Sequence, residues 1–170
     1  MFKKIIVLGM DNTGKTTLCK ELSKRLEYEH VTSLGPKASK EEMEEFIDSH
    51  LTDDKPMVFE RFCFFEEMVY GNILRGQSKF HWDGPYHYRV QEAKPLIIYC
   101  RPSRRRILKF GDREQMEGVI EKAEKLLATF DDLYFKLPAM GFFTTTYDFE
   151  SYYTVNHLVE WLEMWKGVKP

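Results

Sequence analysis

Residues 5 to 26 contain three successive sequence patterns, and together these patterns are compatible with few folds. The short apolar run Ile5-Ile6-Val7-Leu8 is typical of a buried strand. It leads into Gly9-Met10-Asp11-Asn12-Thr13-Gly14-Lys15-Thr16, which has Gly-x-x-x-x-Gly-Lys-Thr spacing. Leu18, Leu22 and Leu26 then recur at helical spacing. Because a phosphate-binding loop requires a strand before it and a helix after it, we predict an α/β fold that begins with this unit.

The spacing within the loop indicates how it binds an anion. Its glycines let the backbone curl so that N–H groups surround a phosphate, which also lies at the N-terminus of the next helix. Lys15 is expected to reach the β- and γ-phosphates, and the Thr16 hydroxyl to bind Mg²⁺. ATP and Mg²⁺ are therefore the predicted cofactors. The predicted nucleotide-binding residues are Gly9, Asn12, Thr13, Gly14, Lys15, Thr16 and Thr17, joined by Arg101 from a later segment.

Composition limits the class of protein and its partners. A chain of 170 residues suits a single domain, 1–170. The net charge of −2 argues against a stable nucleic-acid partner. The three widely spaced cysteines, Cys19, Cys63 and Cys100, favour buried thiols in a reducing, cytoplasmic compartment. No apolar run approaches the roughly 20 residues that cross a bilayer, so no membrane segment is expected, and a homodimer stays open.

Strand and helix patterns alternate along the rest of the chain. Further strands are predicted at residues 30–34, 57–59, 95–100 and 142–147. Helices are predicted at residues 39–51, 63–75, 116–137 and 155–165, with a loop and a short helix at 77–88. Strands that alternate with helices pair in parallel through right-handed crossovers. We therefore expect a three-layer fold with a five-stranded parallel sheet covered on both faces.

Charged residues follow the third and fourth strands. Glu60-Arg61 ends the third, where an Arg fork can bind an acceptor phosphate and a carboxylate can hold Mg²⁺ through water. The alternative for this pair is a structural ion pair. Six of the thirteen residues from Arg101 to Arg113 are basic, which favours a lid that clamps a transferring phosphoryl group, with a solvated helix face as the alternative. A guanine-binding Asn-Lys-x-Asp sequence is absent.

Three motifs carry a family resemblance that covers nearly the whole chain. They are the loop at 9–16, Glu-Arg-Phe followed by Glu-x-Val-Tyr-Gly at 60–71, and Arg-Glu-Gln-Met-Glu-Gly-Val at 113–119. With these motifs the chain resembles the thymidylate kinases of the P-loop kinase superfamily, and is most similar to compact, phage-type deoxynucleoside monophosphate kinases. For a phage-encoded enzyme the cytoplasm is that of the host.

The resemblance implies roles for individual residues. Asp11 would contact the deoxyribose of the acceptor, and Glu60-Arg61 would serve the metal and the acceptor phosphate. A short lid, about 101–115, would close over the phosphates. This chain departs from the family in having Glu60 where Asp is usual, Leu34-Gly35-Pro36 where many members have Arg-Glu-Pro, and Asn12 where some have a catalytic Arg. A catalytic arginine would then come from the lid, with Arg105, Arg106 and Arg113 as unranked candidates beside Lys15 and Arg61.

The predicted function is ATP- and Mg²⁺-dependent phosphorylation of a deoxynucleoside monophosphate, dTMP or a related pyrimidine. The predicted acceptor-binding residues are Asp11, Glu60, Arg61, Phe65, Tyr70 and Arg75, and the predicted metal ligands are Thr16 and Glu60. No carboxylate follows the second strand to act as general base, and a monophosphate, with a second pKa of about 6, needs none. A deoxynucleoside kinase acting on the 5′-hydroxyl and a non-catalytic nucleotide-binding protein are the alternatives.

Overall fold

A single parallel sheet forms the centre of the fold. The computed structural model describes residues 2–109, 117–152 and 154–164. Five strands pair in parallel in the order β2-β3-β1-β4-β5, which confirms the predicted sheet with helices on both sides. The strands are β1 (Lys4–Leu8), β2 (Glu29–Thr32), β3 (Met57–Glu60), β4 (Leu96–Cys100) and β5 (Phe143–Tyr147).

The register of the three central strands brings their ends to one edge of the sheet. Val7 of β1 lies opposite Glu60 of β3, and Leu8 lies opposite Tyr99 of β4. The loop from Gly9 and the residues Arg61 and Arg101 therefore leave the sheet side by side. Ligands of open parallel sheets bind at this carboxyl edge.

The helices pack on both faces of the sheet. A π-helical segment, Glu67–Arg75, continues the helix α3 (Cys63–Glu66), and a 3₁₀ turn, Pro138–Met140, follows the helix α6 (Ala123–Lys136). Within the described parts of the chain, no helix has the length and apolar character needed to cross a membrane. The α-helices are α1 (Lys15–Leu26), α2 (Lys40–Thr52), α3 (Cys63–Glu66), α4 (Pro85–Glu92), α5 (Arg104–Ile107), α6 (Ala123–Lys136) and α7 (Val155–Met164).

Alternate residues of the central strands separate two hydrophobic cores. Ile6 and Ile97 pack into a core with α2, α3 and α6, whereas Ile5 and Ile98 pack into a core with α1 and α7. This alternation is the period of two that a strand imposes on its side chains. The sheet is therefore buried on both faces, which explains why its central strands read as continuous apolar runs.

The three cysteines are free thiols inside these cores. Cys63 belongs to the core with α2 and α3, and Cys19 and Cys100 belong to the core with α1 and α7. Burial raises the pKa of each thiol above its ordinary value. They are therefore neutral packing side chains.

Several predicted helices differ from the structure. The helix predicted from residue 116 begins only at Ala123, because residues 117–122 form turns and Gly118 has a left-handed φ of 79°. The helix predicted at 63–75 widens into the π form from Glu67 onward, and the short helix predicted to end by residue 88 continues to Glu92. The predicted helical residues Met116 and Trp165 lie outside the described residues.

Candidate active site

The loop after β1 requires glycine at two positions. Gly9 has a φ of 139°, and a Cβ there would lie 2.7 Å from the Cys100 carbonyl oxygen. Gly14 has a φ of 81° and precedes the first residue of α1. Between them, Asn12 is also left-handed, with a φ of 65°, and its side-chain amide donates to the Lys109 carbonyl over 3.3 Å. These conformations curl the loop as the motif predicts.

Lys15 lies inside the curl of the loop. Its side chain is buried, donates a hydrogen bond to the Met10 carbonyl and lies 3.4 Å from the Thr13 hydroxyl. Burial, together with the positive charge of Arg61, lowers the pKa of Lys15 to about 8. A phosphate in the loop would favour the charged ammonium and offset this burial.

Thr16 and Glu60 meet between α1 and β3. The Thr16 hydroxyl donates to Glu60 Oε1, and His30 Nε2 lies 3.2 Å from Glu60 Oε2. In the described ranges, no three His, Cys, Asp or Glu side chains cluster as metal ligands. Mg²⁺ at a nucleotide site needs only one or two protein oxygens, because phosphates and water supply the others. A hydroxyl beside a carboxylate fits that requirement.

The guanidinium group of Arg61 forms ion pairs with two carboxylates. Its backbone is left-handed, with a φ of 69°, and its side chain donates to Asp11 and, over 2.9 Å, to Glu66 Oε2. Burial alone would lower the pKa of Arg61, but the charges of Glu66 and Asp11 outweigh it and raise the pKa. Positive φ is costly for arginine, so the turn after β3 holds this side chain at the expense of backbone strain.

A cleft of about 340 Å³ opens beside this ion pair. Its walls come from the loop after β1, the loop after β2, and the helical segment from Cys63 to Arg75. Four of the predicted acceptor-binding residues line it: Asp11, Arg61, Tyr70 and Arg75. Glu60 does not, because it turns toward Thr16 and His30.

Phe65 is the predicted acceptor residue whose placement has to be corrected. It is fully buried and packs against Phe64 and Phe142 at ring-centroid distances of 5.3 and 5.6 Å. The helix directs this ring into the core and away from the cleft, so Phe65 is not available to stack on a base.

The lid arginines occupy different environments. Arg101 forms a bidentate ion pair with Asp131 of α6, at 2.7 and 3.0 Å. Arg105 and Arg106 are exposed on α5, and the Arg106 guanidinium lies 5.7 Å from the centre of the Phe149 ring. Arg113 and the lid from residue 110 lie outside the described residues. The roles of these arginines therefore stay predictions.

Three residues at the site had not been identified in the sequence. Glu66 and Glu67 line the cleft, and a Cβ on Gly14 would lie 2.9 Å from the Phe149 ring. Phe149 follows Asp148 just after β5. The rule that ligands bind at the carboxyl ends of strands could therefore have identified it. Glu66 carried no such signal, because either face of the predicted helix could have held it. Glu67 begins the Glu-x-Val-Tyr-Gly motif, but that motif was given no role for this residue.

The sheet order and the phosphate-binding loop together give the fold of the P-loop kinases. YorR from Bacillus subtilis, solved in complex with phosphorylated GDP, is similar at a TM-score of 0.76 and 17% identity, over 98% of this chain and 99% of that chain. Deoxyadenosine kinase from M. mycoides with bound dATP is similar at 0.61 and 16% identity, over 95% and 98%. Shikimate kinase from Acinetobacter baumannii with shikimate follows at 0.56 and 12% identity, over 97% and 92%. No family model and no curated protein sequence matches the chain.

Proposed function

We propose that the protein transfers the γ-phosphoryl group of ATP to a deoxynucleoside monophosphate, with dTMP or a related pyrimidine nucleotide as the leading acceptor. The observation that carries this proposal is the position of the cleft. It opens directly beside the phosphate-binding loop, and Asp11 belongs to both. A donor phosphate in the loop and an acceptor in the cleft would therefore meet at Asp11 and Arg61.

On the donor side, Lys15 binds the β- and γ-phosphates and the loop N–H groups surround them. Mg²⁺ held near Thr16 and Glu60 would neutralise charge on the same phosphates. An oxygen of the acceptor phosphate attacks the γ-phosphorus, the bond from that phosphorus to the β-γ bridging oxygen breaks, and ADP leaves. Phe149, which lies over Gly14, and Arg106, whose guanidinium lies over the Phe149 ring, are suited to contact the base of ATP.

On the acceptor side, Arg61 exchanges its carboxylate partners for the acceptor phosphate. Its guanidinium already faces the cleft and is held by Asp11 and Glu66. A dianionic phosphate competes well for such a fork because it accepts two parallel hydrogen bonds. Asp11, once released, is free to accept a hydrogen bond from the deoxyribose.

A second candidate is phosphorylation of a deoxynucleoside at its 5′-hydroxyl. The charge balance of the cleft favours it, because the three carboxylates of Asp11, Glu66 and Glu67 face only two guanidinium groups. Burial raises the pKa of Glu66, although Arg61 opposes this, and its Oε1 atom has no hydrogen-bond partner among the described residues. Such a carboxylate could take the proton of a hydroxyl acceptor.

One experiment separates these functions. The protein is incubated with ATP, Mg²⁺ and, in parallel, a panel of deoxynucleoside monophosphates and the matching deoxynucleosides, and ADP and the phosphorylated acceptor are measured. Conversion of a monophosphate supports the first proposal, whereas conversion of nucleosides alone supports the second. Tight ATP binding without conversion of either would indicate a non-catalytic nucleotide-binding protein.

A further inference from the structure

The π-helical segment carries an ion pair between a buried carboxylate and a partly exposed arginine along the wall of the cleft. Arg75 Nη2 donates to both carboxylate oxygens of Glu67, at 2.5 and 2.6 Å, and the Lys79 backbone N–H donates to Glu67 Oε2 over 3.3 Å. The Glu67 side chain is 5% exposed and the Arg75 side chain 38%. Both residues line the cleft. Arg75 therefore reaches back along the segment onto the residue that begins it.

Gly71 makes this return possible. A Cβ at Gly71 would lie 2.9 Å from Glu67 Oε2, 3.0 Å from Arg75 Nη2 and 3.0 Å from the Gln77 carbonyl oxygen. Any side chain at this position would push the ion pair apart. π-Helical turns are rare, and they occur frequently at functional sites because they reposition side chains. Here the π segment and Gly71 together fix the guanidinium of Arg75 at the cleft.

The ion pair leaves hydrogen-bonding capacity unused. The structure gives Arg75 Nε and Nη1 no hydrogen bond to another described residue, and a carboxylate such as that of Glu67 accepts about four. Arg61 precedes the helical wall and Arg75 ends it. An acceptor whose phosphate lies on Arg61 would therefore extend its base along the wall toward Arg75 and Glu67.

We propose that Glu67 and Arg75 bind the base of the acceptor through its Watson–Crick edge, with Arg75 donating and Glu67 accepting hydrogen bonds. This inference rests on the proposed function, because it assumes that a nucleotide occupies the cleft. A keto base offers a carbonyl oxygen beside a ring N–H, and an amino base offers a ring nitrogen beside an N–H₂ group. Either edge can therefore form hydrogen bonds with a donor and an acceptor that lie side by side, as Arg75 and Glu67 do.

The test compares acceptors with and without the proposed edge. The acceptors are dTMP, N3-methyl-dTMP, dCMP, N4,N4-dimethyl-dCMP and the abasic 2-deoxyribose 5-phosphate. The variants are Arg75→Gln and the double variant Glu67→Gln/Arg75→Gln, which leaves no buried charge unpaired. Arg89→Gln is the matched control, because Arg89 forms its ion pair with Asp48 on the exposed side of α2.

Both test variants should lower kcat/KM for the preferred unmodified nucleotide by about 10- to 100-fold, the discrimination typical of a lost bidentate contact to a base. The KM for ATP and kcat/KM for the abasic acceptor should not change. A large effect of methylation at N3 identifies a keto base, and a large effect at N4 identifies an amino base. If base-bearing and abasic acceptors lose the same factor, the ion pair only supports the helix and the inference is overturned.

Calorimetric binding of deoxynucleosides separates this inference from the proposed function. If the wild type converts no monophosphate but binds a deoxynucleoside with an affinity that Arg75→Gln lowers at least tenfold, the base assignment is supported while the proposed function fails. If the wild type converts no monophosphate and deoxynucleosides bind with affinities that neither variant changes, or do not bind at all, the base assignment is overturned.

Discussion

Lys15 shows how one residue can couple nucleotide binding to pH. Its pKa of about 8 lies below the ordinary value because the side chain is buried near Arg61. Phosphates favour the ammonium, so the pKa rises in the complex and binding takes up a proton above about pH 8. We expect ATP affinity to be constant near neutrality and to fall, by up to about tenfold per pH unit, at higher pH. Calorimetric titration across this range measures it.

Lys15→Arg is the control for this pH dependence. Arginine stays protonated throughout the range, so ATP affinity of the variant, although weaker, should not change with pH. The same decline in wild type and variant would mean that another group titrates and that the burial of Lys15 has no part in the effect.

Arg61 is the residue whose loss should separate the two substrates. In the proposed function, Arg61→Ala would remove two charge-assisted hydrogen bonds to the acceptor phosphate, each worth roughly 1.5 kcal/mol, so kcat/KM for the acceptor should fall by about 100-fold or more. The KM for ATP should change little. Steady-state kinetics with each substrate varied in turn test this, with Arg25→Ala, which breaks an exposed ion pair to Glu21 on α1, as control. Equal losses for both substrates would assign Arg61 a structural role.

At the scale of elements, the packing of the π segment depends on the absence of a side chain at Gly71. Gly71→Ala should destabilise the fold by about 1–3 kcal/mol, because the new methyl group overlaps Glu67, Arg75 and the Gln77 carbonyl. Gly35→Ala is the matched control, since a Cβ there meets nothing within 4 Å and its effect should stay within about 0.5 kcal/mol. Urea unfolding measures both. Equal stabilities would show that the segment relaxes around the added group.

The same element marks the limit of what the sequence could predict. The P-loop was predictable because its requirements are local: positive φ at Gly9 and Gly14, a strand before and a helix after. Apolar spacing from Phe64 to Val69 predicts a helix but cannot tell an α turn from a π turn, which changes the residues that face the cleft. Glu67 was therefore given no role, and Phe65 was misplaced because the same spacing does not show which face of the helix covers the core. Phe149 reaches Gly14 only through the sheet, a contact that no local pattern encodes.

At the scale of the whole molecule, His87 should make stability depend on pH. Its ring packs among Phe64, Trp82 and Phe142, and its Nδ1 atom is buried without a hydrogen bond among the described residues. Burial lowers the pKa of His87 below its ordinary value. The unfolded chain therefore binds a proton that the folded protein rejects, and stability falls as the pH drops below about 6.5.

Urea unfolding at about pH 7.5 and pH 5.5 tests this dependence. The His87→Phe variant should lose less stability between the two conditions than the wild type, whereas His81→Gln, which changes an exposed histidine, should lose as much as the wild type. An unchanged difference in the His87 variant would mean that the aromatic cluster tolerates the charge.

The burial of all three thiols has a practical consequence for studying the lid. Neutral, enclosed sulfur atoms react slowly with alkylating reagents, because only an accessible thiolate is a good nucleophile. A single Ser103→Cys substitution, at the exposed residue that precedes α5, could thus carry a fluorescent dye while the native cysteines stay in place. The brightness of that dye during ATP addition would report directly whether α5 moves toward the nucleotide, and slow labelling of the native thiols would time the opening of the whole fold.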